Sequence, residues 1–571
     1  MFPEGSAVMP DTNKITVGAA IAAFLENCGV KAAFGVISIH NMPILDAFGE
    51  RGNIRFVMAR GEAGATNMAD AYARTVGGLG VTVTSTGTAA GNASGAMVEA
   101  LTAGTPLLHL TGQIDSPYLD QNLGFIHEAH NQLDMLNAVS KAAFRIRTPE
   151  TAIGVLKRAV QIAMTAPTGP VSIEIPIDVQ QALIDLPADM NPLPIVSAVP
   201  SDAALDELAD RLSKATRPLL WLGGGARQAG EQVRRLARLG FGVVTTTQGR
   251  GVLPENDPAI IGSFTASKPV EALYQTADAM LVVGSRLRSN ETLKYALKLP
   301  KTLYRIDADP QADGRGYRSD YFVTGDATLA LKGLADRLEG KLKVDGKMAD
   351  DVQRARQDSV KQLMDDVGPY AALIDKLQAR IDADCEGTDF NWVRDVTLSN
   401  SMWGNRLPNL ADPKAGVHAL GGGIGQGLAM GIGAAIGSAV TSGNKTVMLA
   451  GDGGFILNLG ELATAVQEEA DVVMILMNDQ AYGVIKNIQD AVYGGRKHYV
   501  QLHTPDYALL SQSINLPHTR VSDLADLDAA LEQGFNTEGP FLIEIDMLSV
   551  GGFKATFAGP PSKVPADKAK A

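Results

Sequence analysis

Cysteine is nearly absent: 571 residues hold two, Cys28 and Cys385. They stand far apart, with no metal-ligand spacing and nothing to build a disulfide framework, which fits a reducing compartment. Runs of basic residues are also missing. The net charge is −13 and the pI is near 5.2, so no electrostatic footprint for nucleic acid exists. No long uninterrupted apolar run occurs. The most apolar region, residues 421–441, is broken by glycines and reads as buried loop and helix rather than a membrane span. The opening stretch "MFPEGSAVMPDTNK" lacks the basic, apolar, small-residue order of a secretion signal. A cytoplasmic location, with neither nucleic acid nor membrane as partner, is the expectation.

Glycine, by contrast, is plentiful, with 60 residues gathered in short loops. That pattern suits many tight strand–helix turns. A chain this long exceeds one core, and it reads as three α/β blocks. The first spans about 12–185, with short apolar strands "VKAAFGV", "IRFVMA", "GVTVTS" and "PLLHLTG" separated by helical stretches. The Pro-rich linker "LPADMNPLPIVSAVP" leads to a second block, about 201–340, with strands "PLLWLGG", "FGVVTTT", "AMLVVGS" and "TLYRIDA". The charged run "EGKLKVDGKMADDVQRARQDSVKQLMDD" reads as an exposed connecting segment with helix, before a third block at about 372–550. The end, "PPSKVPADKAKA", reads as a mobile polar tail. Apolar strands alternating with amphipathic helices predict three doubly wound parallel sheets.

The third block carries the sharpest chemistry. "KTVMLAGDGGF" is a strand running into a glycine-rich crease, "NLGELATAVQEE" is a helix, and "DVVMILMNDQAYG" is the next strand. Parallel strands bring their C-terminal ends to one edge of a sheet, where ligands bind. Asp452 and Asp479, 27 positions apart, are therefore expected to converge. Two carboxylates with a loop carbonyl make a hard-oxygen site for Mg2+, which favours sharing between carboxylates and phosphates. Glycines let backbone N–H groups approach those phosphates. A Gly-Asp-Gly turn alone is common loop structure. The second acid, and a further glycine-rich segment "ALGGGIGQGLAMGIGAAIG", point to a metal clamping a diphosphate.

These residues resemble the signature of thiamine diphosphate-dependent enzymes, GDG followed downstream by Asn-Asn, and the whole chain resembles the acetolactate synthase and benzoylformate decarboxylase group. The family order of pyrimidine-binding, central and diphosphate-binding domains covers nearly the full length. Asp479 departs from the usual second Asn, adding a negative charge that favours the metal and opposes the diphosphate. The resemblance implies metal ligands at Asp452, Asp479 and the Ala481 carbonyl. It implies cofactor contacts from Thr397, Ser399, Asn400 and Gln426, from Gly451, Gly453, Gly454 and Phe455, and from Tyr482, Gly483, Val484 and Ile485. Leu428 falls where relatives carry the bulky residue that bends the cofactor. "FVMARGEAGATNMADAYAR" matches the family's "RHEQ…ADGYAR", which makes Glu62 the acid that activates the aminopyrimidine. Taken alone, Glu62 is a helix-start acid favoured by the dipole. In this family the pyrimidine block of one chain faces the diphosphate block of another, which implies at least a dimer, commonly a tetramer.

The implied reaction is decarboxylation of a 2-oxo acid, the product carbon then being protonated to an aldehyde or captured by a second carbonyl. "GVISIHNMP" brings Ser38 and His40 to the expected reaction centre, His40 as proton shuttle, carboxylate partner or helix cap. "NLGFIHEAHNQLDM" adds His127 and Glu128 as candidate substrate groups. Ser85 stands where benzoylformate decarboxylase has a catalytic His, and Ile485 where pyruvate decarboxylase has a catalytic Glu. Apolar surroundings at Leu428 and Ile485 favour charge-dispersing steps such as decarboxylation. Arg227, Arg286 and Arg288 in the central block permit a nucleotide, but FAD is not predicted. A 2-hydroxyacyl-CoA lyase and a non-catalytic cofactor-binding protein are the alternatives. A dehydrogenase is disfavoured because no well-placed G-x-G-x-x-G is present.

Overall fold

In the computed structural model, residues 13–384 and 390–559 are described. Cys385, the chain up to residue 12 and the segment 560–571 read as a polar tail lie outside the described residues. Three sheets of six parallel strands each form the frame. In the first the strand order is Arg55–Met58, Ala32–Gly35, Gly80–Thr84, Leu107–Gln113, Val171–Pro176, Ala142–Arg145. A short antiparallel pair, Lys14–Thr16 with Leu183–Asp185, ties the two ends of this unit together. The central sheet runs Ile260–Gly262, Gly242–Thr245, Pro218–Leu222, Ala279–Val283, Leu303–Asp307, Tyr321–Thr324. The third runs Gly416–His418, Asn391–Arg394, Thr446–Gly451, Val472–Asn478, Phe541–Asp546, His518–Val521. Inner strands such as Leu107–Gln113 and Val472–Asn478 are buried at every residue, because helices cover both faces. Their apolar runs are the reason the sequence pattern was legible as parallel sheet.

The charged segment after the central sheet folds as the helix Met348–Val367. It is more than an exposed connector. Met348, Val352, Ala355, Ser359, Leu363 and Val367 are buried and lie three or four positions apart, on one face. The apolar members of that stripe join a core running from the central sheet into the third. The charges between them mask the stripe in a composition count. Among the described residues no helix is long and apolar enough to cross a membrane.

The first and third units pack through two helices, Glu62–Val76 and Gly427–Ala439. Twelve consecutive positions of the second, Gly427 to Ser438, are buried, so the helix is apolar all round. A Cβ at Gly433 would lie 2.1 Å from the Met68 carbonyl oxygen and 2.6 Å from its Cα, so the two backbones touch. Gly433→Ala is therefore expected to destabilise the protein by about 1–3 kcal/mol through overpacking. Chemical denaturation checks this, and an unchanged midpoint would contradict the backbone contact.

Candidate active site

The third sheet sets the site. Gly451 pairs with Met477 in the register of neighbouring strands, so Asp452 and Asp479 emerge at the same edge. The two carboxyls stand close enough to shift one another. Asp452 is 1% exposed. Burial and then the charge of Asp479 push its carboxyl up to about 7. Asp479 is raised as well, chiefly by burial. A divalent ion at their oxygens would favour the charged form of both.

On the acid pair and on segments near it, polar atoms are buried without partners among the described residues: Asp452 Oδ2, Ser399 Oγ, Asn400 Oδ1 and Gln426 Oε1. Buried polar atoms are ordinarily satisfied, so these orphans fit a polar ligand. Their three segments converge. A Cβ at Gly451 would sit 2.5 Å from Thr397 Oγ1, and one at Gly454 would sit 2.5 Å from Asp395 Oδ2 and 3.1 Å from the Gly425 nitrogen. Glycine is thus required by close approach on the crease itself. The loop after Asp479 is pinned by Tyr482 N–H to the Val500 carbonyl and Leu502 N–H to the Gln480 carbonyl, both 2.9 Å. Neither bond uses the Ala481 carbonyl. Gly483 passes close to Asp479, where a Cβ would lie 2.7 Å from Oδ2. Among the described residues no group of three His, Cys, Asp or Glu could hold a metal alone. The two acids would need backbone carbonyl and phosphate oxygens, which is the donor set Mg2+ takes.

Sequence reasoning missed Asp395. It follows the strand Asn391–Arg394, is fully buried, and accepts N–H bonds from Val396 at 2.7 Å and Gly425 at 3.0 and 3.1 Å. Burial outweighs those donors and raises its carboxyl to about 6. The signal was available, because an acid at a strand end is what singled out Asp452. Val484 is half-buried beside Gly483, and Phe455 packs edge-on against Tyr507. Leu428 is 1% exposed within the apolar core, whereas Ile485 is 49% exposed. The two do not share one closed apolar lining within the chain.

On the first unit, Glu62 opens the helix Glu62–Val76 and accepts from Asn92 Nδ2 at 3.1 Å. The preceding Arg60 and Gly61 N–H groups go to Glu461 of the third unit, at 3.0 to 3.2 Å. Among the described residues no hydrogen bond or ion pair joins Glu62 to Asp452 or Asp479. His40 is 7% exposed, with Nδ1 3.4 Å from Ser85 Oγ and its ring 5.3 Å from the His127 ring. Burial and then His127 lower its pKa, so the ring is neutral at neutral pH. It does not cap the helix Met42–Arg51. Asn41 stands at that start, accepting from the Ser38 N–H and donating to the Val36 carbonyl. Ser38 Oγ is buried without a partner. His127 has φ +67, and its carbonyl presses on Gly87, where a Cβ would lie 2.1 Å away. Glu128 accepts the Phe125 N–H of its own loop at 3.0 Å.

Three family models match the chain: the N-terminal TPP binding domain of thiamine pyrophosphate enzymes over residues 15–138, their central domain over 205–334, and their C-terminal TPP binding domain over 399–545. A probable 2-ketoarginine decarboxylase of Pseudomonas aeruginosa is 31% identical over 552 residues, covering 95% of this chain and 96% of that protein. Acetolactate synthase 1 of Nicotiana tabacum, a chloroplast protein, is 27% identical over 544 residues, covering 91% and 80%. A probable acetolactate synthase large subunit of Methanocaldococcus jannaschii is 27% identical over 549 residues, covering 92% and 91%. With three parallel-sheet units in the matching order, and an acid crease where the C-terminal model lies, the chain belongs to the thiamine pyrophosphate enzyme family.

Proposed function

We propose that this enzyme decarboxylates a 2-oxo acid using thiamine diphosphate and Mg2+. The observation that carries the reading is the set of orphaned buried atoms, Ser399 Oγ, Asn400 Oδ1, Gln426 Oε1 and Asp452 Oδ2, on segments that meet at the acid pair. Asp452, Asp479 and the Ala481 carbonyl would hold the metal. Thr397, Ser399, Asn400 and Gln426 would hold the diphosphate, with Gly451, Gly453 and Gly454 admitting it and Phe455, Tyr482, Gly483 and Val484 bordering it. When bound, the cofactor supplies a carbon nucleophile and an electron sink for loss of CO2. Glu62 serves the aminopyrimidine as hydrogen-bond partner. The family pattern would bring Glu62 to the acid pair of a second copy, in a dimer or tetramer. Leu428 supports the cofactor from beneath. Cysteine scarcity supports a cytoplasmic setting.

His40 is the group this reading assigns to proton transfer. A neutral imidazole accepts or relays a proton, and Ser85 and His127 orient it. Ser38 lies in the same loop and offers a free hydroxyl, while Glu128 shapes the loop carrying His127. A proton relay through His40 would favour release of an aldehyde. Capture by a second carbonyl is the second reading, favoured by the acetolactate synthase relatives.

Glu62→Gln tests the assignment of the activating acid. Turnover is expected to fall by about 10²–10⁴-fold with cofactor binding retained, and unchanged turnover would sink the mechanism. Asp479→Asn removes one metal-facing charge, so the Mg2+ concentration for half-maximal activity is expected to rise about tenfold or more. Metal titration reads it, and an equal requirement would show that the Asp479 charge does not contribute to holding the metal. His40→Ala is expected to cut aldehyde formation by about 10²-fold or more. If aldehyde forms at the wild-type rate, His40 moves no proton in the reaction.

A further inference from the structure

We propose that Glu99 is a positioning residue for the cofactor cradle, holding the glycine-rich loop 419–426 of the third unit from a helix of the first. The inference rests on the thiamine diphosphate reading of that cradle. Glu99 lies on the helix Thr88–Ala103 and is 1% exposed. Its Oε1 accepts the Leu420 N–H at 2.7 Å, and its Oε2 accepts the Gly421 N–H at 2.5 Å. Arg74 fixes the carboxylate from behind, with its guanidinium 3.0 Å from Oε1. The same guanidinium is paired with Asp70 and donates to the His418 carbonyl at 2.7 Å, just before the loop.

The central unit grips the same peptide. Arg288 donates to the Leu420 carbonyl at 3.2 Å, so the N–H of Leu420 is held by the first unit and its C=O by the second. At the far end of the loop Asp395 holds the Gly425 N–H. Between these anchors lie Gly421, Gly422 and Gly423, with φ +85 at Gly422 and +84 at Gly425. Such a run is costly to order. Two charge-assisted bonds to consecutive N–H groups order it before any ligand arrives. Gln426, with its orphaned Oε1, and Leu428 follow directly. Glu99 touches neither cofactor nor substrate in this account, and it acts by setting where Gln426 stands.

Two variants read the contact from opposite sides. Glu99→Gln keeps the size but puts an N–H donor against one of the two loop N–H groups. Gly421→Ala places a Cβ 2.9 Å from Glu99 Oε2, at an exposed loop residue, and serves if Glu99→Gln does not fold. The measurement is equilibrium titration of each apoenzyme with thiamine diphosphate at saturating Mg2+, followed by intrinsic fluorescence, beside thermal unfolding of the same apoenzymes. The cofactor dissociation constant is expected to rise about tenfold or more, while kcat at saturating cofactor falls far less than the affinity. A purely structural ion cluster would lower the unfolding temperature and leave the dissociation constant alone. Wild-type affinity in both variants, or in Gly421→Ala where Glu99→Gln does not fold, overturns the positioning role. If the wild-type apoenzyme itself binds no thiamine diphosphate, the cofactor reading fails instead.

Discussion

Two acids brought together at one edge of a sheet are the constraint on which this structure turns. Asp452 and Asp479 leave adjacent parallel strands at the same level, and both carboxyls are driven upward by burial. Such a pair carries both charges only at a cost, which a cation would offset. The glycines of the crease, the bulge-like loop after Asp479 and the buried anchor at Asp395 all bring polar atoms to that point without filling it. A parallel sheet suits the task because it delivers every strand end to one edge.

The three units are not independent supports for the crease. Helix Gly427–Ala439, which carries Leu428, is pressed backbone to backbone on helix Glu62–Val76, which begins with Glu62. Glu461 of the third unit accepts the N–H groups just before Glu62, and Glu99 of the first accepts the Leu420 and Gly421 N–H groups at the start of the loop that leads to Gln426. Each unit therefore sets the loop that carries the other's functional residue. The central unit joins through Arg288 at Leu420 and through the apolar stripe of helix Met348–Val367.

Much of this was legible in sequence. Fully buried strands read as apolar runs, and Asp452, Asp479 and Glu62 stood out as acids at strand ends beside glycines. What stayed hidden depends on separation along the chain. The Glu99 bond to Leu420 spans 321 positions, and that from Glu461 to Arg60 spans 401, so no local pattern announces either. Asp395 was missed although it shares the strand-end signal, because no glycine follows it directly. His40 and His127 were each singled out, yet only the fold shows their rings in edge contact and Glu128 bonded to the Phe125 N–H. The stripe of helix Met348–Val367 was masked by its charged neighbours.

The central claim, that the acid crease serves decarboxylation through thiamine diphosphate and a metal, is tested most directly by CO2 release. The purified protein, stripped of metal and cofactor, is given a panel of 2-oxo acids of differing side chain, with thiamine diphosphate and Mg2+ added singly and together. The account predicts CO2 from at least one member of the panel, and only when both are present. No CO2 from any 2-oxo acid, or release that is indifferent to the two additions, would contradict it.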